Sequence, residues 1–380
     1  MALTLTISTN AEALRLENAI ANAIPTNPDI KSAYSEARAK EHQIGQEKSG
    51  YYPSVDVSAS AGHEYTKQKF HPNELSATAT PPAGKKGVER RERYQPQITV
   101  VQPLFSGFDT VNRVQKAEDE TTQALRKAEE TQTLIAFQAA EAYIGVRRFQ
   151  RLWRLAQENI KFHETIHNKV RQLVNAGKAS KGDLHTVEAR LSDARTAADD
   201  IVGDLSSQVA AFIDVTGIKP DRLENAKIDD SVLPRSLQES IDLALEHNRS
   251  VVLAKQSIKV TETDIKVAEA PYYPNVNIEA DATHSNSVGG RNGHENNAKV
   301  LAVLRWNLFS GGRDLNRHRE FKERNIKAKD DLMAAMRLAE REVRVSWGER
   351  TSAALQAEDR GCQERTRTAQ EKSRCTEEKV

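Results

Sequence analysis

Two stretches of this chain are written to one design. GYYPSVDVSAS begins at Gly50 and PYYPNVNIEAD at Pro271. Each sets two tyrosines before a proline and then alternates apolar with polar residues; Pro53 and Pro274 stand 221 residues apart. A duplication of this length commits the fold to two copies of one supersecondary unit. At the same offset, LENAIANAIPTNPDI from Leu16 meets LQESIDLALEHNRSV from Leu237, so Ile20 falls on Ile241, Ala23 on Ala244 and Asn27 on Asn248. A second match, QPLFSGFD from Gln102 against WNLFSGGRD from Trp306, sets Gly107 on Gly311 at an offset of 204. The 17 surplus residues of the first copy fall in TKQKFHPNELSATATPPAGKKGVERRER, whose Pro, Gly and charge are a loop composition.

Each copy reads as helix, strand, loop, strand, long helix. The first helix covers roughly 28–50 and roughly 249–270, and stops where Pro53 and Pro274 approach, because a residue before proline avoids the α region. The period then becomes two. Val55, Val57, Ala59 and Ala61 alternate with polar residues in the first copy; Val276, Ile278, Ala280 and Ala282 do so in the second. The return strand continues with Val300, Ala302, Leu304, Trp306 and Leu308, and Ile98 with Val100 begin a weaker version. Each hairpin has one apolar and one strongly polar face. A half-buried soluble sheet and a membrane barrel both produce this alternation. Strand lengths of about 10 residues suit a tilted bilayer crossing. Tyr51, Tyr52, Phe105, Tyr272, Tyr273, Trp306 and Phe309 cluster at one end, as an interfacial girdle would place them. An aromatic cluster at a helix–sheet joint explains them equally well.

From Val111 to Val174 there is no proline and one glycine, Gly145, so a helix of roughly 95 Å is predicted. Leu152, Leu155, Phe162, Ile166, Val170 and Leu173 recur at helical spacing. NAGKASKGD, Asn175 to Asp183, breaks the pattern, and a second helix returns from Leu184 to about Phe212. The stripe is narrow and needs neighbouring helices. Composition agrees: 38% hydrophobic and 29% charged residues over 380, with mean hydropathy −0.65, fit long solvated helices better than a large compact core. Net charge +1 supplies no general field for nucleic acid. The two cysteines, Cys362 and Cys375, make no disulfide framework or zinc pattern. No run approaches 18 apolar residues, and MALTLTISTNAEAL lacks the basic start and apolar centre of a signal peptide. Four strands cannot close a barrel, so in lipid several chains would have to share one.

The duplicated YYP with its alternating strand, the strand ending in LFSG, and the helical hairpin turning at GKASKGDL together resemble the TolC family of outer membrane channel proteins, over roughly residues 14–355. The resemblance implies a mainly helical fold with membrane strands. Three protomers contribute four strands each to a 12-strand barrel, and the helices continue as a periplasmic tunnel. It implies an exit duct for drugs or unfolded proteins, working with a periplasmic adaptor and an inner-membrane transporter. No catalysis, cofactor or metal is implied. Residues 14–220 would form the first structural repeat, with strand hairpin 55–105 and helical hairpin 108–215. Residues 235–355 would form a second, incomplete repeat with strand hairpin 275–309. The tail 356–380 is atypical. Strands 55–66, 94–105, 275–284 and 298–309 would cross the outer membrane, and loops 67–93 and 285–297 would face the exterior. Val174, Gly177, Lys178, Ala179 and Ser180 would form an adaptor-contacting tip, and Asn277, Glu279 and Asp281 would line the lumen.

Two departures are expected to matter. The family carries a signal peptide. The second hairpin's return helix is also missing, because the counterpart of Gly177 would fall at position 381. EDRGCQERTRTAQEKSRCTEEKV loses the apolar stripe, so a truncated or frame-altered C-terminus is expected from near Leu355. Three sharper motifs carry blander readings. HETIH, His163 to His167, fits a zinc-protease signature but lies inside a polar coiled-coil pattern. VGGRNG, Val288 to Gly293, opens no helix and reads as a hairpin loop; KKGVERRER reads as a solvated loop that could touch anionic lipopolysaccharide or nucleic acid. The competing function is a soluble coiled-coil scaffold.

Overall fold

The computed structural model describes residues 14–67, 88–226, 233–286 and 294–377, with side chains over 14–65, 92–226, 233–286 and 294–356. The loop tips, VGGRNG and the side chains of both cysteines lie outside the described residues; of KKGVERRER, expected as a loop, only Lys85 to Gly87 do, and Val88 to Arg93 are strand instead, laddered onto Gly62 to Lys67. In chain order the elements are α1 (Leu16–Thr26), α2 (Pro28–Lys48), β1 (Ser54–Lys67), β2 (Val88–Ser106), α3 (Asp109–Asn175), α4 (Lys181–Thr216), α5 (Leu237–His247), α6 (Arg249–Glu269), β3 (Asn275–Asn286), β4 (His294–Arg305) and α7 (Arg313–Glu377). No described helix is long and apolar enough to cross a membrane, which says nothing of a barrel.

The sequence repeat is a repeat of local chemistry. Asn27 and Asn248 each cap the helix that follows, accepting the amides of Asp29 and Ser250 at 2.9 Å. These caps separate α1 from α2 and α5 from α6, a division that the helical period alone did not mark. Each of the two longer helices ends in a 3-10 turn, Ser49–Tyr51 or Ala270–Tyr272. Tyr52 and Tyr273 are then extended, as the following prolines require. The serine of LFSG plays one role twice: Ser106 accepts the Thr110 amide at 3.2 Å, and Ser310 accepts the Asp314 amide at 3.4 Å. The glycines after them, Gly107 and Gly311, are left-handed, with φ of +62° and +66°.

The chain forms two compact units. The first takes Met1–Arg38, Thr122–Lys255 and Asp331–Val380. Its core gathers Ala19, Ala142, Tyr143, Val146, Phe212 and Leu223 around α1, α3 and α4. Leu14 forms a short parallel bridge with Leu223. Tyr143, fully buried, directs its hydroxyl at the carbonyls of Leu14 and Glu224, 2.7 and 2.8 Å away. Burial holds its phenol above the ordinary pKa of 10.0. Leu155, Phe162 and Leu173, part of the predicted α3 stripe, remain exposed, so α4 alone does not cover it.

The second unit takes Ala39–Thr121 and Gln256–Asp330 and contains the whole sheet. Its helices meet over small residues, Ala117, Ala268 and Ala328, and over polar links. Thr263 donates to the Asp119 carboxylate at 2.8 Å, and Asn325 donates to the Thr261 hydroxyl at 2.9 Å. Lys116 reaches Asp264 at 2.6 Å. The sheet is antiparallel, in the order β1-β2-β3-β4, so the two hairpins join through β2 and β3. The strand expected over 298–309 ends at Arg305. The partner of Arg305 is Asn275, the first residue of β3, and Pro274 before it brings no amide to extend the ladder.

Candidate functional site

The register aligns the alternation of all four strands. Val55, Val100, Ala280 and Val300 form one cross-strand row, and Val57, Ile98, Ala282 and Ala298 another. Between these rows lies Asp56, Thr99, Asp281 and Lys299. Period-two geometry therefore gives one face mainly to apolar residues and the other mainly to polar ones, with Val101, Leu301 and Val303 as apolar exceptions on the polar face.

The exposures are the reverse of those in a soluble sheet. On the apolar face Val57 is 74% exposed and Val300 72%, with Val55, Ile98 and Leu304 also open. On the polar face the Asp281 side chain is 15% exposed and that of Glu279 21%. Asp281 accepts from Thr99 at 2.8 Å and Gln97 at 3.2 Å, and Lys299 lies 3.5 Å away. Glu279 is held by Arg305 at 2.7 Å. Asn277, the third predicted polar position, pairs in register with Pro103 and Val303. An apolar face of this extent left open, beside a charged face where Glu279 and Asp281 find partners, matches a solvent that is oily on one side and wet on the other.

Of the aromatic residues singled out, Tyr51, Tyr52, Tyr272, Tyr273, Trp306 and Phe309 are exposed where helices meet strands. The Trp306 indole donates to the Tyr272 carbonyl at 3.2 Å. Phe105 is half-buried and meets Phe108 edge-on at 5.1 Å, and Phe108 meets Tyr273 at 5.2 Å. Phe105 and Tyr273 thus join Phe108 in an aromatic cluster at the helix–sheet joint. Sequence reasoning missed Tyr65 and Tyr94, exposed at the far end of the same apolar face. Tyr65 continues the alternation of Val55 to Ala61 and could have been found by extending it. Val55 to Tyr65 spans about 33 Å of strand, or about 25 Å of depth at a tilt of about 40°.

The predicted tip, in the first unit, is a stiff exposed turn. Gly177 is left-handed at φ +69°; its amide bonds Val174 O at 3.0 Å, and the Lys178 amide bonds Leu173 O at 2.8 Å. Ser180 starts α4 with a capping box, exchanging bonds with Asp183, each at 3.1 Å. Val174 and Ala179 are half-buried; Gly177, Lys178 and Ser180 are exposed.

HETIH lies in the C-terminal third of α3. Glu164 is ion-paired with Arg195 at 3.0 Å, and His167 lies 3.7 Å from Glu188, in a cleft of about 490 Å³ between α3 and α4. Among the described residues no three His, Cys, Asp or Glu side chains converge to hold a metal.

Comparison with known proteins adds an independent line. The profile of the family described as Outer membrane efflux protein matches residues 19–217 and 240–380, one stretch for each repeat. The outer membrane efflux protein BepC of Brucella suis is 22% identical over 335 residues, 88% of this chain and 69% of that protein. The proteases secretion protein PrtF of Dickeya chrysanthemi is 21% identical over 318 residues, 80% of this chain and 65% of that one. Among solved structures, the outer membrane protein VceC from Vibrio cholerae superposes with a TM-score of 0.69 at 17% identity, covering 90% of this chain and 80% of its own.

Proposed function

The chain belongs to the outer membrane efflux protein family, and from that premise we propose that it is one protomer of a three-chain exit duct. Its place is the outer membrane and its class is an efflux channel, not a soluble scaffold. The observation that carries the reading is the two-faced sheet, with Val57 and Val300 open and Asp281 and Glu279 enclosed by their partners.

In this reading the apolar rows meet lipid, and Tyr65 and Tyr94 mark one interface with the strand–helix aromatics at the other. Asn277, Glu279 and Asp281 line a water-filled lumen. Four strands per chain leave two open edges, which lipid does not tolerate, so three copies close a 12-strand wall. The Gly177 turn is the contact for a periplasmic adaptor that couples the duct to an inner-membrane transporter. The cargo is of the kind the relatives' names indicate, small effluxed compounds or secreted proteins. The chain's own residues bind and guide cargo; the transporter supplies the energy.

Reconstitution of the full chain into planar bilayers tests this. The expected result is discrete, long-lived conductance steps from protein extracted with outer membranes. A chain that stays in the soluble fraction and leaves bilayers silent contradicts it.

A further inference from the structure

β1 and β4 are the outer strands of the sheet; at the helix-side end their polar faces carry opposite charge, whereas farther out each carries an acid, Glu64 and Glu295. On β1, from Ser54 to Ser60, the one charged residue is Asp56. On β4, from Asn297 to Arg305, the charged residues of that face are Lys299 and Arg305. Within the sheet these charges are unevenly satisfied. Thr99 stands beside Asp56 in register, yet its hydroxyl donates to Asp281 on the other side. Asp56 makes no hydrogen bond or ion pair through its side chain among the described residues and is exposed. Lys299 and Arg305, each more than half exposed, have room beyond the carboxylates they hold.

We propose that the seam between protomers is keyed by charge: Asp56 of one copy takes Lys299 or Arg305 of the next. This rests on the channel reading above and goes further, naming the residues that decide which edge meets which. Pairing β1 with β1 sets acid against acid; pairing β4 with β4 sets two bases against two. Both like-edge arrangements are two-fold and stop at a dimer, whereas β1 on β4 is head-to-tail and goes on to close a ring. The keyed seam therefore selects the ring. It also continues the row Asp56, Thr99, Asp281, Lys299 from one copy to the next, with Lys299 between Asp281 of its own copy and Asp56 of the next.

Cysteine pairs test this in the full chain, with Cys362 and Cys375 replaced by serine and the protein extracted from outer membranes. Three strand spacings, about 14 Å, separate Asp56 from Lys299 in one copy, beyond disulfide reach, so any bond between them joins two chains. Oxidation of Asp56→Cys with Lys299→Cys, or with Arg305→Cys, is expected to give a ladder of covalent dimer and trimer in at least one pair. Each single variant is expected to give none. Independently, Asp56→Lys is expected to lower the temperature at which the oligomer dissociates on a gel, with Asp56→Glu leaving it near that of the parent. Dimers from a single variant, a heat-stable trimer with no ladder from either pair, or equal dissociation temperatures for Lys and Glu overturn the keyed seam. A cysteine-free parent that forms no oligomer at all contradicts instead the channel reading beneath it.

Discussion

The Thr99 hydroxyl donates to the Asp281 carboxylate at 2.8 Å across the β2–β3 joint, the ladder that unites the two hairpins. This bond belongs to neither repeat alone. It fixes the register that brings four alternating strands to common faces. Asp281→Ala leaves Thr99, Gln97 and Lys299 without their shared acceptor, so the assembled sheet is expected to dissociate at a lower temperature. Asp281→Asn keeps an oxygen for Thr99 and is expected to fall between. Gel mobility after stepwise heating reads the order. Removing the charge is also expected to reduce cation preference in single-channel recordings.

The two LFSG glycines separate conformation from packing. A Cβ on Gly107 would stand 2.7 Å from the Ala270 carbonyl oxygen and 3.0 Å from Tyr273 Cβ; one on Gly311 would meet nothing within 4 Å. Both are left-handed. Gly311→Ala is expected to cost about 1 kcal/mol from the backbone alone, and Gly107→Ala about 3 kcal/mol with the clash added. Denaturant midpoints of the two variants check the difference.

Asp314 gives a pH dependence. The Ser310 hydroxyl donates to its carboxylate and holds its pKa below the ordinary 3.8; partial burial opposes this, and Arg313 adds to it. A depressed carboxylate contributes stability that is present above the unfolded value and lost as pH falls through the folded one. The melting-temperature gap between the parent chain and Asp314→Asn is therefore expected to hold from pH 7 down to about 4 and to close below. A gap that instead widens on acidification contradicts the assignment.

The tip can be weakened without touching the sheet. Ser180→Ala removes the acceptor for the Asp183 amide and is expected to cost about 1 kcal/mol. Because the change is local to the turn, bilayer conductance is expected to persist while coupling to an adaptor falls. Conductance and whole-cell export, measured on the same variant, separate the two.

Much of this was legible because the repeat preserved chemistry as well as composition. Asn27 matched Asn248 since both cap a helix, and Ser106 matched Ser310 since both accept the same backbone amide. Period-two alternation placed Val57 and Asp281 on opposite faces before any pairing was known. What stayed hidden depended on non-local geometry. No local signal joins β2 to β3, and none ends β4 at Arg305 when Trp306 and Leu308 continue the alternation. Phe108 sits at φ +65°, a left-handed position its repeat partner gives to Gly312. Its contact with Phe105 and Tyr273 becomes visible only once strand and turn are brought together.

A channel of this kind requires the apolar face of the sheet to meet lipid. Spin labels placed one at a time from Val55 to Ala61 and from Val276 to Ala282, in the chain reconstituted into bilayers, read this directly by collision with oxygen and with a water-soluble nickel complex. The prediction is a period of two in both stretches. Labels at Val55, Val57, Val276 and Ile278 favour oxygen, and those at Asp56, Ser58, Asn277, Glu279 and Asp281 favour nickel. Nickel dominating at every position, or an alternation of opposite phase, would contradict it.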